Sequence, residues 1–373
     1  MKFNWFKISY GFLIALMALL LVHYAVQVAS GGHAWKTGDW LINYSDGLIR
    51  RGLSGALSIF VAQILSVNVK WITFLIQAVV FVAFVCLTLK EFYQFKNHPK
   101  SILLLLSPAF AFMFWINDPA VAFRKEICIY LALIFVLKAF QKNEVRSVWY
   151  WASLALFVFA GLSHEITVFF VPFFCFAIFN HYGTSRSNVK LIVKHAAPFL
   201  IVSLGILLVS LLHRGSQQSM DAICTSLQPY ALKEDICEGA ISWLKYDTRY
   251  GFERVLELGW TVWLNYLLLA ALSILPLLFL KADKYFLLLI IAGGISMFPL
   301  FLIAVDYGRF ISMIYTAAVL SCVWTRPRLV QNTWPIHGVI GFLYVFFWAL
   351  PNCCKNTPGK GLLGDALSSV IGF

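Results

Sequence analysis

Long uninterrupted apolar runs are the feature that most constrains this chain. They recur between residues 8 and 351 and are separated by short charged breaks. Of the 373 residues, 61% are hydrophobic and only 12% are charged, whereas roughly a quarter of the residues in an ordinary soluble domain are charged. The pattern excludes a soluble enzyme and a disordered chain, and it predicts a polytopic membrane protein.

The type of apolar run decides the fold class. Only α-helices and closed barrels satisfy every backbone hydrogen bond in lipid, and these runs lack the period of two that a barrel strand requires. We therefore predict an all-α polytopic transmembrane helical bundle of about eleven spans, forming a single integral membrane domain over residues 1–373. The predicted spans are 8–29, 69–89, 101–117, 127–141, 148–163, 166–180, 195–213, 259–280, 285–304, 310–324 and 334–351.

The distribution of charge over alternate loops predicts the orientation. Loops on the side of the amino terminus carry the whole net charge of +12, while the opposite side carries equal numbers of basic and acidic residues. The positive-inside rule then places the amino terminus in the cytoplasm. On the periplasmic side we predict a short helical loop region, with a first loop at 31–55 and a larger loop at 214–258 that serves as a lid. This charge pattern gives no support to nucleic-acid binding.

Within residues 38–55, the first periplasmic loop combines two carboxylates, Asp39 and Asp46, with the pair Arg50 and Arg51 and four glycines. Arginine presents a planar cationic fork that suits phosphate oxygens, and glycine lets the backbone approach such a ligand. The loop is therefore a candidate site for a phosphorylated ligand. In the alternative, the arginines are interfacial anchors and the aspartates are turn or N-cap residues.

A second periplasmic turn begins at Asp118 and continues to Arg124, Lys125 and Glu126. We predict that residues 122–126 form the first turn of a helix, with Arg124 and Glu126 on different faces. Basic residues are unfavourable at the positive end of a helix dipole, so Arg124 is a candidate ligand for an anion. The alternative is a salt-bridged start of the helix.

His164 and Glu165 join two spans through a turn that is too short to leave the membrane. Ionisable residues at that depth are costly unless they are paired or functional. His164 is a candidate general base that Glu165 either positions or replaces. Alternatively, the two side chains bond to one another. No second histidine follows at the spacing of a zinc motif, so we expect no metal and no cofactor.

Asp306 and Arg309 lie in a fourth turn on the same predicted side. Their spacing of three allows a pair across one helical turn, or a joint contribution to a polar cavity with the other turns. In the larger loop, Cys224 and Cys237 are candidates for a disulfide in an oxidising compartment.

In its organisation the chain resembles the O-antigen and capsule polymerases of bacteria and, more broadly, the GT-C glycosyltransferases. The polymerase-like features are about eleven spans, one larger outer loop and the outward-facing Arg50, Arg51, Arg124 and Arg309. The feature similar to GT-C enzymes is an acidic residue in the first outer loop.

The resemblance implies a membrane-embedded glycosyltransferase or polymerase that acts at the periplasmic face on a polyprenyl-phosphate- or polyprenyl-pyrophosphate-linked saccharide. It implies a role in O-antigen, lipopolysaccharide or other cell-surface polysaccharide synthesis, with membrane lipids and other polysaccharide-assembly membrane proteins as partners. The candidate catalytic residues are Asp39, Asp46, His164 and Glu165. The candidate substrate-binding residues are Arg50, Arg51, Arg124, Lys125, Asp118, Asp306 and Arg309. The alternatives are a transporter or lipid-linked oligosaccharide flippase, and a noncatalytic assembly subunit.

Overall fold

The described residues of the computed structural model are all-helical, with 79% helix and no β-strand in those ranges, which confirms the predicted all-α class. The structure describes residues 5–141, 148–183, 185–278, 280, 283–325 and 338–364. The α-helices in these ranges are α1 (Trp5–Ala29), α2 (Thr37–Leu41), α3 (Leu53–Leu65), α4 (Val69–Phe92), α5 (Leu103–Leu106), α6 (Ala111–Asn117), α7 (Glu126–Gln141), α8 (Val148–Ser163), α9 (Val171–Tyr182), α10 (Val189–Leu212), α11 (Gln217–Leu227), α12 (Thr248–Leu256), α13 (Trp260–Leu278), α14 (Lys284–Ile303), α15 (Tyr307–Thr325) and α16 (Gly338–Phe346).

Within those ranges, seven helical segments are long and apolar enough to cross a membrane. They are Phe6–Ala29, Val69–Phe95, Glu165–Tyr182, Arg186–Leu212, Trp260–Leu277, Lys284–Ile303 and Tyr307–Thr325. The structure thus has the helices of a membrane protein, but it does not confirm the predicted eleven spans.

The local sequence explains why some predicted spans fall short. The apolar run 101–117 is divided into α5 and α6 because Ser107 precedes a proline and adopts an extended ψ of 132°. Helices α7 and α8 have 16 residues each, and about 20 residues are needed to cross the hydrocarbon core. Part of the predicted span 334–351 lies outside the described residues.

The chain divides into two compact units. The first contains residues 1–18, 88–122 and 248–373, and the second contains residues 19–87 and 123–247. In the first unit, α13 and α14 pack on α15, and α12 packs on α14. An aromatic group anchors the start of α15, where the Tyr307 ring lies 4.9 Å from Trp263 and 5.6 Å from Phe301.

The second unit is built on α7, α8, α9 and α10, which pack against one another. Phe157 on α8, Phe174 on α9 and Phe199 on α10 form the centre of this packing, with ring centroids 4.8 to 5.3 Å apart. The segments that follow α1 and α8 meet the segment that precedes α7 at one end of this unit. Several polar side chains of the sequence are therefore brought together there.

Two loops of the second unit, residues 31–55 and 214–247, pack together into a layer that we call the loop cap. Backbone hydrogen bonds join them, from Lys233 N to Gly31 O at 3.0 Å and from Ala240 N to Ala34 O at 3.3 Å. A side chain at Gly239 would collide with the Ala34 backbone, so the close approach requires glycine. Buried apolar residues from both loops complete the contact, among them Leu41, Ile42, Ile49, Ile223, Leu227, Ile236, Ile241 and Leu244.

A disulfide joins Cys224 on α11 to Cys237 within the loop cap. It closes the segment that carries α11 onto the short 3₁₀ turn Glu234–Cys237. Residues 214–247 of the predicted lid belong to the second unit, where they pack on the first loop and are cross-linked internally by the disulfide. Helix α12, at the far end of the predicted lid, belongs to the first unit.

Candidate anion-binding site

A group of ionisable side chains lies at one end of the second unit, and we call it the basic cluster. Most of them are buried, and the side chains of Arg50, Arg51 and Glu165 are about one fifth exposed. Basic residues outnumber acidic ones in the group. Asp39, Arg50, Arg51, Lys125, His164 and Glu165 interact with one another, and we include Lys36 and Arg124, which share the neighbour His33.

Arg51 and Glu165 form a two-bond ion pair across 114 residues of sequence. Arg51 Nε donates to Glu165 Oε2 at 2.7 Å, and a second guanidinium nitrogen donates to Oε1. Arg50 Nη1 approaches the same Oε1 at 3.9 Å. Arg51 has a left-handed φ of 70°. Glu165 is therefore neutralised by arginine at both of its oxygens.

Lys125 connects the first loop to the start of α7. Its ammonium lies 3.6 Å from Asp39 Oδ1 and donates to the backbone carbonyl of Arg51 at 3.2 Å. Only 1% of the side chain is exposed, and this burial lowers the pKa of Lys125 to about 8 in spite of the opposing effect of Asp39. The residue is thus a buried cation that is close to losing its proton.

The backbone before α7 is held in an unusual conformation at Phe123, which has a φ of 60°. Its carbonyl accepts from Trp40 Nε1 and from Gln77 Nε2, each at 2.9 Å. Its ring stacks between Tyr24 and Phe81, with both centroid distances at 4.5 Å. A left-handed conformation is rare for a bulky residue, and these contacts hold it in place. They therefore fix the direction of the backbone at Arg124 and Lys125, which follow.

The prediction that residues 122–126 form the first turn of a helix is wrong. Helix α7 begins at Glu126. The left-handed φ of Phe123 interrupts the right-handed geometry, and its carbonyl is already used by side chains from α2 and α4. Arg124 and Lys125 therefore belong to an irregular segment, and they contact different groups.

A buried amide on α4 organises this segment. Gln77 donates to the carbonyls of Lys36 and Phe123, at 3.1 and 2.9 Å, and accepts from the Tyr24 hydroxyl at 2.7 Å. The Lys36 ammonium lies 4.9 Å from the centre of the Tyr24 ring. The sequence interpretation missed both Lys36 and Gln77. A lone amide inside the apolar run 69–89 was the signal that could have revealed the second of them.

Arg124 differs from its neighbour. The residue is 8% exposed, and its guanidinium carbon lies 5.3 Å from the centre of the Trp35 ring. Its Nε is buried without a hydrogen-bond partner in those residues. A buried donor without an acceptor is unfavourable, so the Nε–H of Arg124 is available to an anionic ligand.

Arg50 also has an unused donor. One terminal nitrogen donates to the carbonyl of Tyr246 at 3.2 Å, while its Nε is buried without a partner among the described residues. Burial and the adjacent Arg51 both lower its pKa. In each of the pairs Arg50–Arg51 and Arg124–Lys125, one residue therefore makes structural contacts, and the other has a donor without a partner among the described residues.

His164 lies against the ion pair of Arg51 and Glu165 but is itself uncharged. Its Nδ1 accepts from the backbone nitrogen of Ile166 at 3.4 Å, so the ring caps the 3₁₀ turn Glu165–Phe170. Burial is the main effect that lowers its pKa, to about 3, and the neighbouring Arg51 adds to it. At pH 7 the ring is neutral and is a weak base.

Asp46 lies in the loop cap and not against the basic cluster. Its carboxylate accepts from Ser219 Oγ at 2.8 Å and from Gln218 Nε2 at 3.2 Å, both in the first turn of α11. These contacts fix the first loop to the second. The position explains Asp46 as an anchor between the two loops.

The three remaining candidates belong to the first unit and make local contacts. Asp118 accepts from the backbone nitrogen of Ala120 at 3.1 Å, so it caps the short turn that follows α6. Asp306 pairs with Arg309 at 3.1 Å across one turn at the start of α15. The local pairing that the sequence allowed for Asp306 and Arg309 is present.

The fold and the cluster together define a class: a helical membrane protein with a buried basic site at one end of a helical unit. No group of three or more potential metal ligands comes together in the part of the chain that the structure describes. No protein-family model matches this sequence, and no curated protein or solved structure is similar to it.

Proposed function

We propose that this protein is a membrane glycosyltransferase or polymerase whose donor is a saccharide linked to polyprenyl phosphate or pyrophosphate. The observation that supports this most is the buried basic cluster, in which Arg50 and Arg124 keep donors without a partner among the described residues. A desolvated guanidinium stabilises phosphate charge far more strongly than one in water. Such a site suits a reaction in which a phosphate leaves.

The proposed reaction needs no nucleophilic residue and no cofactor. A hydroxyl oxygen of the acceptor attacks the anomeric carbon of the donor, and the bond from that carbon to the phosphate oxygen breaks. The polyprenyl phosphate or pyrophosphate leaves with the bonding electrons, and its growing charge is stabilised by Arg50 and Lys125. A carboxylate accepts the hydroxyl proton of the acceptor.

Asp39 fits the role of this base best among the four predicted catalytic residues. Glu165 is bound by Arg51 at both oxygens, His164 has a pKa of about 3, and Asp46 contacts Ser219 away from the cluster. Asp39 is buried and faces Lys125. Proton transfer from the acceptor to Asp39 would leave Lys125 free to stabilise the phosphate.

The cellular setting is part of the same proposal. The amino terminus lies in the cytoplasm of a bacterial inner membrane, and the basic cluster faces the periplasm, where lipid-linked repeat units are assembled into O-antigen or another surface polysaccharide. The charge asymmetry of the loops supports this orientation. Membrane lipids and other polysaccharide-assembly membrane proteins are the proposed partners.

A second candidate is a lipid-linked oligosaccharide flippase or another transporter. The observation that favours it is the hydrogen-bonded pair Tyr24 and Gln77, whose polar groups lie within two of the candidate spans. Transporter sites lie near the middle of the membrane and are built from interrupted helices. The basic cluster instead lies beyond the ends of α1 and α8, which supports the enzyme.

The deciding experiment is a gel and mass profile of envelope polysaccharide in the strain that carries the gene. The gene is deleted and then restored as wild type, as Arg50→Ala, or as Arg249→Ala, a control in which an exposed arginine is removed. Loss of the polymer ladder with one repeat unit retained supports a polymerase. A ladder lighter by one sugar per repeat supports a side-chain transferase.

The remaining outcomes contradict the enzyme. Repeat units stranded on lipid at the cytoplasmic face would support the flippase. An unchanged profile in the deletion strain would overturn a role in envelope glycans. Immunoblotting of the membrane fraction tests whether the Arg50→Ala protein is inserted in normal amounts.

A further inference from the structure

A row of aromatic side chains crosses the loop cap between the two arginines with open donors. The rings of Trp35 and Trp243 are 6.3 Å apart, and those of Trp243 and Tyr246 are 5.5 Å apart. The Arg124 guanidinium lies over the Trp35 ring at one end of the row. At the other end Arg50 donates to the Tyr246 carbonyl.

The row leads from the surface of the second unit to a buried cation. Trp243 is 38% exposed, Trp35 is half-buried, and Arg124 is 8% exposed. The two indoles form an apolar wall that ends at a buried cation. Ligand pockets typically combine such apolar walls with a few polar groups that fix orientation.

The backbone segments that carry the two tryptophans are fixed by local contacts. His33 Nδ1 accepts from the backbone nitrogen of Trp35 at 3.1 Å, which fixes the turn that carries it. Trp243 lies in the 3₁₀ turn Ser242–Lys245, which packs on α11. The backbone segments that carry the two rings therefore need little rearrangement to bind a ligand, which reduces the entropic cost of binding.

We propose that Trp35, Trp243 and Arg124 form a subsite for an anionic sugar, that is, a sugar ring that carries a phosphate or a carboxylate. The apolar C–H face of the ring packs on the indoles, and the anion accepts from the unpaired donors of Arg124. The inference rests on the proposed function, because it names the substrate class of the same unit. It adds that the sugar is recognised by the loop cap and its charge by Arg124.

The proposal is tested by isothermal titration of the purified full-length protein in detergent micelles. The probes are glucose 1-phosphate, glucuronate, glucose and inorganic phosphate. We expect an anionic sugar to bind at least about tenfold more tightly than glucose or inorganic phosphate, since only it engages both the rings and a charge-assisted pair. Preference for glucose 1-phosphate identifies the donor phosphate as the anion, and preference for glucuronate identifies an acidic sugar.

Variants separate the two contributions. Arg124→Gln should abolish the preference for the anionic sugar over glucose, and Arg124→Lys should restore part of it through charge without the planar fork. Trp243→Ala should weaken the binding of every sugar, and Trp243→Phe should restore part of it. Arg249→Ala, at an exposed arginine in α12, should bind as the wild type does. Thermal melting of each variant establishes that it is folded.

Three results would overturn the subsite: no binding of either anionic sugar, equal binding by Arg124→Gln, or binding of inorganic phosphate as tight as that of the sugars. The outcome is independent of the envelope profile. Arg124-dependent binding with an unchanged profile would keep the subsite and overturn the enzyme. A profile that depends on Arg50 without Arg124-dependent binding would keep the enzyme and overturn the subsite.

Discussion

The basic cluster of the second unit and the turn at Asp306 and Arg309 of the first unit contain the same residue types in different arrangements. In the turn, the arginine pairs with a carboxylate three residues away, at 3.1 Å. In the cluster, Arg51 pairs with Glu165 across 114 residues. A pair supplied by one helical turn forms wherever the helix forms, whereas a pair supplied by two distant segments depends on the whole unit.

The comparison extends to the use of charge. The cluster contains more cations than carboxylates, and Arg124 lies on an aromatic face instead of a carboxylate. The turn contains one cation and one carboxylate. A pair that neutralises itself indicates nothing about a ligand, but a buried excess of cations requires an anion or a structural reason. This difference makes the cluster the functional candidate and the turn a structural one.

The largest effect should follow from Glu165→Ala. Removing this carboxylate leaves Arg51 and Arg50 close together without their shared anion, and breaking a buried pair in this way costs about 3–5 kcal/mol of the free energy of unfolding. Thermal melting in detergent measures the loss. The matched control is Glu253→Ala, which removes an exposed partner of Arg249.

A double replacement sharpens this prediction. Arg51→Met combined with Glu165→Met removes both charges, so it should cost less than the sum of the two single replacements. Equal melting of Glu165→Ala and Glu253→Ala would show that the long-range pair is no more important than a surface pair.

The next largest effect concerns the loop cap. Cys224→Ser removes the disulfide, whose cysteines are 13 residues apart, and a loop of that size contributes about 3 kcal/mol by restricting the unfolded chain. Because the same loop carries Trp243, binding of anionic sugars should weaken as well. Cys86→Ser, at a free cysteine, is the control and should change neither property. An unchanged melting curve for Cys224→Ser would contradict a structural role for the bond.

A smaller effect should appear as pH rises, because burial lowers the pKa of Lys125 from its ordinary value of 10.5 to about 8. The unfolded chain then binds more protons than the folded one between pH 8 and 10.5, so folding becomes more favourable as pH rises through that window. From pH 7 to 9 the gain is about 1 kcal/mol. Below pH 8 the full cost of the buried charge is present.

Melting curves of the wild type and Lys125→Met between pH 7 and 9 test this prediction. The wild type should gain stability relative to the variant, since methionine has no proton to lose. Turnover should change in the opposite direction in the wild type, falling above pH 8 as the cluster loses a cation. Parallel stability curves would mean that Lys125 keeps its proton throughout the window.

The sequence could predict the helical class and the loops that carry charge, because apolar runs and charged breaks report directly on lipid and water. It could not predict that Arg51 pairs with Glu165, since no local spacing relates them. The left-handed Phe123 was equally hidden, because phenylalanine has no preference for that conformation and adopts it here only under the contacts of Trp40 and Gln77.

Trp35, Lys36 and Trp243 were missed for a related reason. Tryptophan and lysine are ordinary residues near the ends of membrane helices, so their presence in a loop carries little information. Their importance arises from the packing of the two loops of the cap, which brings Trp35 beside Trp243. Asp118 and Asp46 are the opposite case, because the sequence made them candidates for a site and the structure gives them structural contacts. Asp118 caps a short turn, and Asp46 joins the two loops of the cap.

The smallest effect should follow from Asp306→Asn, which removes the charge from the local pair of the first unit. A partly exposed pair three residues apart on one helix contributes about 0.3–0.5 kcal/mol, and asparagine keeps an oxygen that can accept from Arg309. Thermal melting and the envelope polysaccharide profile should both remain close to those of the wild type. If Asp306→Asn instead removed the polysaccharide ladder while the protein stayed folded, the turn would be functional, and the distinction between local and long-range pairs would fail as a guide to the site.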